Sequence, residues 1–285
     1  MKRIALPLIL VPGCVLGEGA PGPVAESSAE PTAPNILLIY TDDVGYGDVG
    51  CYEGSTTPTP HIDRLAREGL LFTDAHCSAA TCTPSRFALL TGQYAFRQAG
   101  TGVASGNAGL IIDPGTVTLA DLLKGAGYTT GVVGKWHLGL GEGRNDWNQE
   151  VAPNPGDLGF DYHFLMPATG DRVPCVYFEQ GSVVGLDPAD PIEVSYGKRI
   201  GDAPSGKEAR DGLRMDWSHG HDQTIVNGVS RIGWMTGGEA ARWVDEDMAD
   251  VFTEKALGFL ARASGDAVAG QEPRPWFLYL SLIHI

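Results

Sequence analysis

Three short segments carry side chains that could do chemistry. Asp42 and Asp43 sit side by side at the end of an apolar run. Cys82 precedes Arg86 by four residues in Cys82-Thr83-Pro84-Ser85-Arg86, and His137 follows Lys135 across a single tryptophan. Two adjacent carboxylates offer oxygen donors, which suit a hard cation better than zinc. A cysteine just ahead of a helix meets free N–H groups and the positive end of the helix dipole, a setting that favours an anion. A histidine titrates near neutrality and can act as a base. Each also has a blander reading. An isolated Asp-Asp is more often a solvated turn, a lone cysteine is usually an inert buried thiol, and Lys135 and His137 could be strand-end surface residues.

The elements around these segments argue for convergence. Asn35 to Thr41 is an uninterrupted apolar run of the kind found in central parallel strands covered on both faces. Thr59-Pro60 caps an amphipathic helix carrying Ile62, Leu65 and Ala66 and stopped by Gly69. Leu70 to Thr73 reads as a short strand. Thr83-Pro84 starts a second helix with Phe87, Leu89 and Leu90, closed by Gly92. Thr118 caps a third, with Leu119, Leu122 and Leu123 on one side and Gly125 and Gly127 at its end. Tyr128 to Gly134 is a further strand, ending at Lys135. Residues 141–235 are irregular and rich in Gly, Pro, Asp and aromatics, a functional loop region or an insertion. Met248, Val251, Phe252, Phe259 and Leu260 then mark one face of a long helix leading to a strand at Pro275–Leu280. This alternation predicts an α/β fold with a mostly parallel central sheet flanked by helices. Ligands of such sheets collect at the carboxyl ends of the strands, which is where Asp42, Asp43, Lys135 and His137 fall.

At Cys82-Thr83-Pro84-Ser85-Arg86-Phe87-Ala88-Leu89-Leu90-Thr91-Gly92 the sequence resembles the type I, formylglycine-dependent sulfatases of the alkaline phosphatase superfamily, in arylsulfatase-like form. The segment Gly127 to His137 is similar to the second signature of that family. Thr41-Asp42-Asp43-Val44-Gly45-Tyr46-Gly47-Asp48 is similar to its N-terminal metal motif. Three motifs in order, each on the expected element, are a specific signal. They extend the resemblance over about Pro34 to Tyr279 and imply the N-terminal part of an alkaline-phosphatase-like domain, truncated at its C-terminus.

The resemblance implies roles as well. Cys82 holds the position that a maturation enzyme converts to formylglycine, whose hydrate offers two geminal hydroxyls. One attacks sulfur and expels the alcohol. The other lets the covalent sulfate collapse without water attacking sulfur. Arg86 matches the residue that steadies those hydroxyls, Lys135 the one that binds sulfate oxygens, and His137 the base that deprotonates the remaining hydroxyl. Asp42 and Asp43, with the modified Cys82, match ligands of a divalent ion, usually calcium, which polarises the sulfate. The downstream metal pair, a further lysine and the leaving-group histidine have no match here, so the chain as it stands is expected to be inactive while a longer parent turns over. The implied substrate is a sulfated carbohydrate or an aryl sulfate. A phosphonate or phosphate ester hydrolase of the same superfamily is the nearest alternative, and a non-catalytic sulfated-glycan-binding protein the next.

The chain ends carry other signals. Lys2 and Arg3 precede an apolar run from Ile4 to Leu16, too short to span a membrane and suited to an export signal over residues 1–20. Val11-Pro12-Gly13-Cys14 resembles a lipobox, though cleavage near Ala20 ranks ahead of lipidation at Cys14. Membrane association is expected only with that lipid. Residues 21–34 read as a flexible linker, and 35–279 as sulfatase catalytic domain. Leu280 to Ile285 equals one frame of a transposase end sequence used in sequencing libraries, so this tail, His284 included, is expected to be foreign. The predicted location is exported: periplasmic, cell-surface or secreted.

With 20 Lys+Arg against 35 Asp+Glu in 285 residues, the formal charge is −15. That excludes a nucleic-acid binder, which needs a basic face. A 43% hydrophobic content excludes wholesale disorder. His219-Gly220-His221-Asp222 lacks zinc-motif spacing and reads as a loop or sugar contact. Asp171-Arg172-Val173-Pro174 fits a sugar site and packing equally. His76 and His163 read as structural and His61 as exposed. Cys51, Cys77 and Cys175 fix no disulfide pairing, although export would permit one.

Overall fold

Strand pairing follows the apolar runs. In a computed structural model, which describes residues 33–52, 55–218, 220–265 and 274–283, β1 (Ile36–Tyr40) is followed by α1 (Pro60–Glu68), α2 (Cys82–Thr91) and α3 (Leu119–Gly125). Next come β2 (Thr129–Lys135), β3 (Tyr162–Met166), β4 (Phe178–Glu179) and β5 (Ser182–Val183). The signal segment, most of the linker, Cys14, His219 and His284 lie outside the described residues. The last helix, α4 (Met248–Ala263), is preceded by β6 (Glu193–Ser195) paired with β9 (Trp234–Thr236), and by the hairpin of β7 (Ile225–Val226) and β8 (Val229–Ser230). It leads to β10 (Trp276–Ser281). The main sheet runs β1-β10-β2-β3-β4-β5. Its first four strands are parallel, with Leu37 beside Leu278, Leu278 beside Gly131 and Val132 beside His163. The late strand β10 thus separates the two that carry Asp42 and Lys135. Ser281, in the segment read as foreign, closes this strand.

Packing explains the helices. In α4, Met248, Phe252, Ala256, Phe259 and Ala263 are buried at helical spacing, forming the stripe that seats on the sheet. Phe259 lies over Gly131, where an added Cβ would meet its ring at 2.7 Å. The α3 N-cap is a capping box: Thr118 accepts from the Asp121 amide at 3.1 Å, and its hydroxyl donates to the Leu158 carbonyl at 2.7 Å. α2 begins after extended Thr81 and ends at Gly92, which takes φ 67° and donates to the Ala88 carbonyl at 2.9 Å.

Four readings need correction. Among the described residues, the run before Asp42 is an edge strand rather than a central one covered on both faces. β1 ends the sheet as described, and Leu37 and Ile39 are about half exposed. Leu70 to Thr73 forms no strand, because no described neighbour offers it an edge to pair with, and Leu70 and Phe72 stand exposed. Within the region read as irregular, Tyr162 to Met166 is a buried parallel strand of the main sheet. Its aromatic and apolar run was the available signal. His163, on that strand, is buried as a structural residue: it stacks on Phe178 and its Nε2 accepts from the Gly181 amide at 3.0 Å. His76, read as structural, is instead exposed beside Asp74. His61 is exposed. The four described cysteines, Cys51, Cys77, Cys82 and Cys175, are free thiols.

Two stability outcomes follow from this packing. Gly131→Ala should overpack β2 against Phe259 and cost about 1–3 kcal/mol in denaturant unfolding; an unchanged midpoint would show that α4 is not seated there. Burial pushes the His163 pKa down to about 4. Between that value and the ordinary histidine range, about 6.5, the unfolded chain binds the extra proton. The stability His163 contributes is therefore full at neutral pH and is lost as pH falls through this window. His163→Gln should flatten the acid limb of a stability–pH curve by up to roughly 1.4 kcal/mol per pH unit, the effect of one proton.

Candidate functional site

The strand ends deliver their side chains to one cavity of about 440 Å³, whose walls include Asp42, Asp43, Cys82, Lys135 and His137. Asp42 follows β1 and is nearly buried. Its neighbour Asp43 takes a left-handed backbone, φ 52°, and is exposed. Cys82 is the first residue of α2 rather than the one before it. Its Sγ lies 3.6 Å from Asp42 Oδ1 and accepts from Lys135 Nζ at 3.0 Å. Lys135 Nζ also forms an ion pair with Asp42 Oδ2. Burial alone would raise the Asp42 pKa, but Lys135, Arg86 and the Cys82 thiol together hold the carboxyl below its usual range.

Arg86, one helical turn after Cys82, is fully buried. Its Nη1 donates to the Lys135 carbonyl at 3.2 Å, the Tyr279 hydroxyl at 2.9 Å and Ser281 Oγ at 2.5 Å. Its Nη2 is 3.7 Å from Asp42 Oδ1, and Tyr40 lies under the guanidinium at 5.2 Å. Strand β2 stays paired through Lys135. Gly134 has φ 108°, and a Cβ there would fall 1.9 Å from the Ser281 carbonyl.

His137 also has a left-handed backbone, φ 55°, and its side chain is buried. Its carbonyl accepts from Thr83 Oγ1 at 2.9 Å, which ties it to the start of α2. Ring Nε2 is 2.9 Å from the Ala104 carbonyl. A carbonyl only accepts, so Nε2 carries the proton and Nδ1 keeps its lone pair. Among the described residues Nδ1 has no hydrogen-bond partner. Burial first, then the positive charges of Lys135, Arg172 and Arg86, push the His137 pKa to about 4, outweighing the Ala104 hydrogen bond. At neutral pH this side chain is an uncharged base.

The far wall holds Asp171, Arg172, Trp217 and His221. Of these, the Asp171-Arg172 pair and His221 had open readings in the sequence, and Trp217 had no specific one. Thr83 and the Ala104 carbonyl, which orient His137, carry no sequence signal, because one acts through a common side chain and the other through backbone.

Asp42 and Asp43 provide oxygen donors of the kind a calcium ion takes. Among the described residues, however, no cluster of three or more His, Cys, Asp or Glu is arranged to hold a metal. Two carboxylates fall short of the six to eight oxygens such an ion gathers. The donor chemistry fits and the donor number does not, so no step is derived through a metal.

The Sulfatase family model matches residues 34–285. Over 282 residues, 98% of this chain and 54% of the relative, the sequence is 51% identical to an N-acetylgalactosamine-6-O-sulfatase of Bacteroides thetaiotaomicron. It is 44% identical to human arylsulfatase A over 145 residues, half of this chain and 27% of that protein. A solved chain from work on the metabolism of multiple glycosaminoglycans by Bacteroides thetaiotaomicron superposes with TM-score 0.84 at 53% identity, covering 88% of this chain and 51% of that one. The chain thus spans about half the length of its full-coverage relative. The family match over nearly all the described residues, on an alkaline-phosphatase-like α/β frame with three motifs meeting in one cavity, places this chain in the sulfatase family.

Proposed function

We propose that the whole protein carrying this chain hydrolyses sulfate esters on carbohydrates, with 6-O-sulfated N-acetylgalactosamine as the substrate class. The relative at 51% identity is named for that activity. The observation that carries the reading is the meeting of Cys82 Sγ, Lys135 Nζ and Asp42 at the N-terminus of α2, with a neutral His137 on the same cavity.

Members of this family generally use a formylglycine and a divalent metal, and we assign the first to residue 82. Its hydrate supplies an oxygen nucleophile and a second hydroxyl through which sulfate leaves. Lys135 has three N–H donors and gives two of them to Asp42 and residue 82, so the third is available to a sulfate oxygen. Arg86 is fixed by the Lys135 carbonyl and Tyr279, and holds positive charge behind residue 82. His137 accepts a proton at Nδ1, the atom its Ala104 hydrogen bond leaves basic. Export of the protein and a formylglycine-generating maturation enzyme belong to the same proposal, and a calcium ion would take only two of its donors from Asp42 and Asp43 and need the others from the rest of the whole protein. Sulfated polysaccharides are extracellular, which supports export. Among the described residues no helix is long and apolar enough to cross a membrane.

Mass analysis of the tryptic peptide containing residue 82, from the native host, should show the aldehyde or its hydrate; an unmodified thiol would end the mechanism. In the whole protein, His137→Ala should lower kcat by about 10²–10⁴-fold, the usual worth of a positioned base, with KM changed far less. A parallel rise in KM at constant kcat would instead make His137 a binding group.

A further inference from the structure

We infer that Thr83 is a positioning residue for the proposed reaction: its hydroxyl ties the base, His137, to the residue next in the chain to the nucleophile. The inference rests on the sulfatase reading above and concerns the separation of residue 82 from His137, not the chemistry of either.

Thr83 is the second residue of α2 and is fully buried. A threonine in the first turn of a helix ordinarily spends its hydroxyl on nearby backbone. This one does not. Both hydrogen bonds of the hydroxyl leave the helix, one to a partner 54 residues on and one to a partner 21 residues on. Oγ1 donates to the His137 carbonyl at 2.9 Å and accepts from the Ala104 amide at 3.1 Å. The Ala104 carbonyl in turn accepts the His137 Nε2 proton at 2.9 Å. Three hydrogen bonds thus close a ring through Thr83, His137 and Ala104. None of the three residues is more than 7% exposed, so water competes little for these bonds.

The ring holds the base at two points. One bond grips its main chain, at a φ of 55° that is uncommon for a non-glycine residue. Another grips its imidazole and leaves Nδ1 as the basic atom, on a residue of the cavity wall. Arg172 Nη1 reaches the same Ala104 carbonyl at 3.0 Å, which holds that carbonyl from a second side. Because Thr83 is bonded covalently to residue 82, the ring also sets where the base stands relative to the formylglycine position. A hydroxyl can donate and accept at once, and the ring needs both at this one atom. Valine has nearly the same shape and can do neither. Thr83→Val would leave the His137 carbonyl and the Ala104 amide buried and unpaired, and the base would lose its fixed separation from the hydrate. A threonine with a purely structural role would cost stability on replacement without touching proton transfer.

The test uses the matured whole protein and N-acetylgalactosamine 6-sulfate. Because residue 83 adjoins the maturation site, kcat is expressed per aldehyde found by mass analysis. Thr83→Val should lower kcat by roughly 10- to 100-fold, the scale of a misplacement of about 1 Å, with KM little changed. Thr83→Ser, which restores the hydroxyl, should recover most of that loss. In a His137→Ala background Thr83→Val should lower kcat no further, since a positioning residue acts only through the group it positions. Additive losses in the double variant, equal losses for valine and serine, or a wild-type kcat for valine would each overturn the inference. Nitrogen NMR spectra of the histidine rings report on His137 without turnover. Wild type and Thr83→Ser should hold it as a single Nε2–H tautomer, and Thr83→Val should mix the two. If wild type cleaves no sulfate ester, the sulfatase reading fails and these spectra alone decide whether Thr83 positions His137; identical spectra in all three proteins would remove that role. Should Thr83→Val misfold, as its melting temperature would reveal, Thr83→Ala is judged by the same outcomes.

Discussion

The carboxylate of Asp42 is the point on which the site closes. Lys135, Arg86 and the Cys82 thiol all address it, and they come from segments as far as 93 residues away in the chain. No helix or hairpin brings such segments together. The sheet does so, by placing β10 between β1 and β2 so that Asp42 and Lys135 leave parallel strand ends one strand apart on the same rim. α2 then lays its first residue across that gap, and its buried Arg86 fastens helix to sheet through the Lys135 carbonyl and Tyr279. Removing the carboxylate would leave two buried cations facing each other, a costly arrangement in a low-dielectric setting.

Backbone conformation contributes a second constraint. Asp43 and His137 both adopt positive φ, uncommon for a non-glycine residue although Asp and His enter this region more readily than most. Each stands two or three residues beyond the end of its strand, on the wall of the cavity. For His137 the turn is held from outside by the Thr83 hydroxyl on its carbonyl. Thr83 also accepts from the Ala104 amide at 3.1 Å, so one hydroxyl connects the helix, the base and the carbonyl that fixes the base's tautomer. Local preference alone would not choose these angles. At His137 the surrounding hydrogen bonds hold the angle.

Much of this was legible in the sequence, and for identifiable reasons. The apolar runs that became β1, β2 and β10 announce parallel strands, and strand ends announce the rim where Asp42, Lys135 and His137 gather. The α2 boundaries followed from Pro84 and Gly92 within a residue. What escaped notice depends on pairing or on backbone. Leu70 to Thr73 has a strand's composition and no edge to join. Tyr162 to Met166 has both, but lies inside a long stretch whose glycines and prolines mask its period. The link from Arg172 to His137 passes through a carbonyl that every residue possesses, so no residue type could reveal it.

Charge shows how an acidic chain can still receive an anion. The whole sequence carries −15, yet Lys135 and Arg86 are about 1% exposed and Asp42 about 10%, so this buried trio holds two positive charges against one negative. Exposed carboxylates farther than the Debye length, about 8 Å at physiological salt, are largely screened by solvent ions. The buried charges are not, because little water or salt reaches between them. On the proposed function, a sulfate entering the cavity would meet the field of the trio rather than that of the surface. Lys135 offers it the N–H that Asp42 and residue 82 leave over, and the balanced pair of Asp171 and Arg172 adds no charge to oppose it.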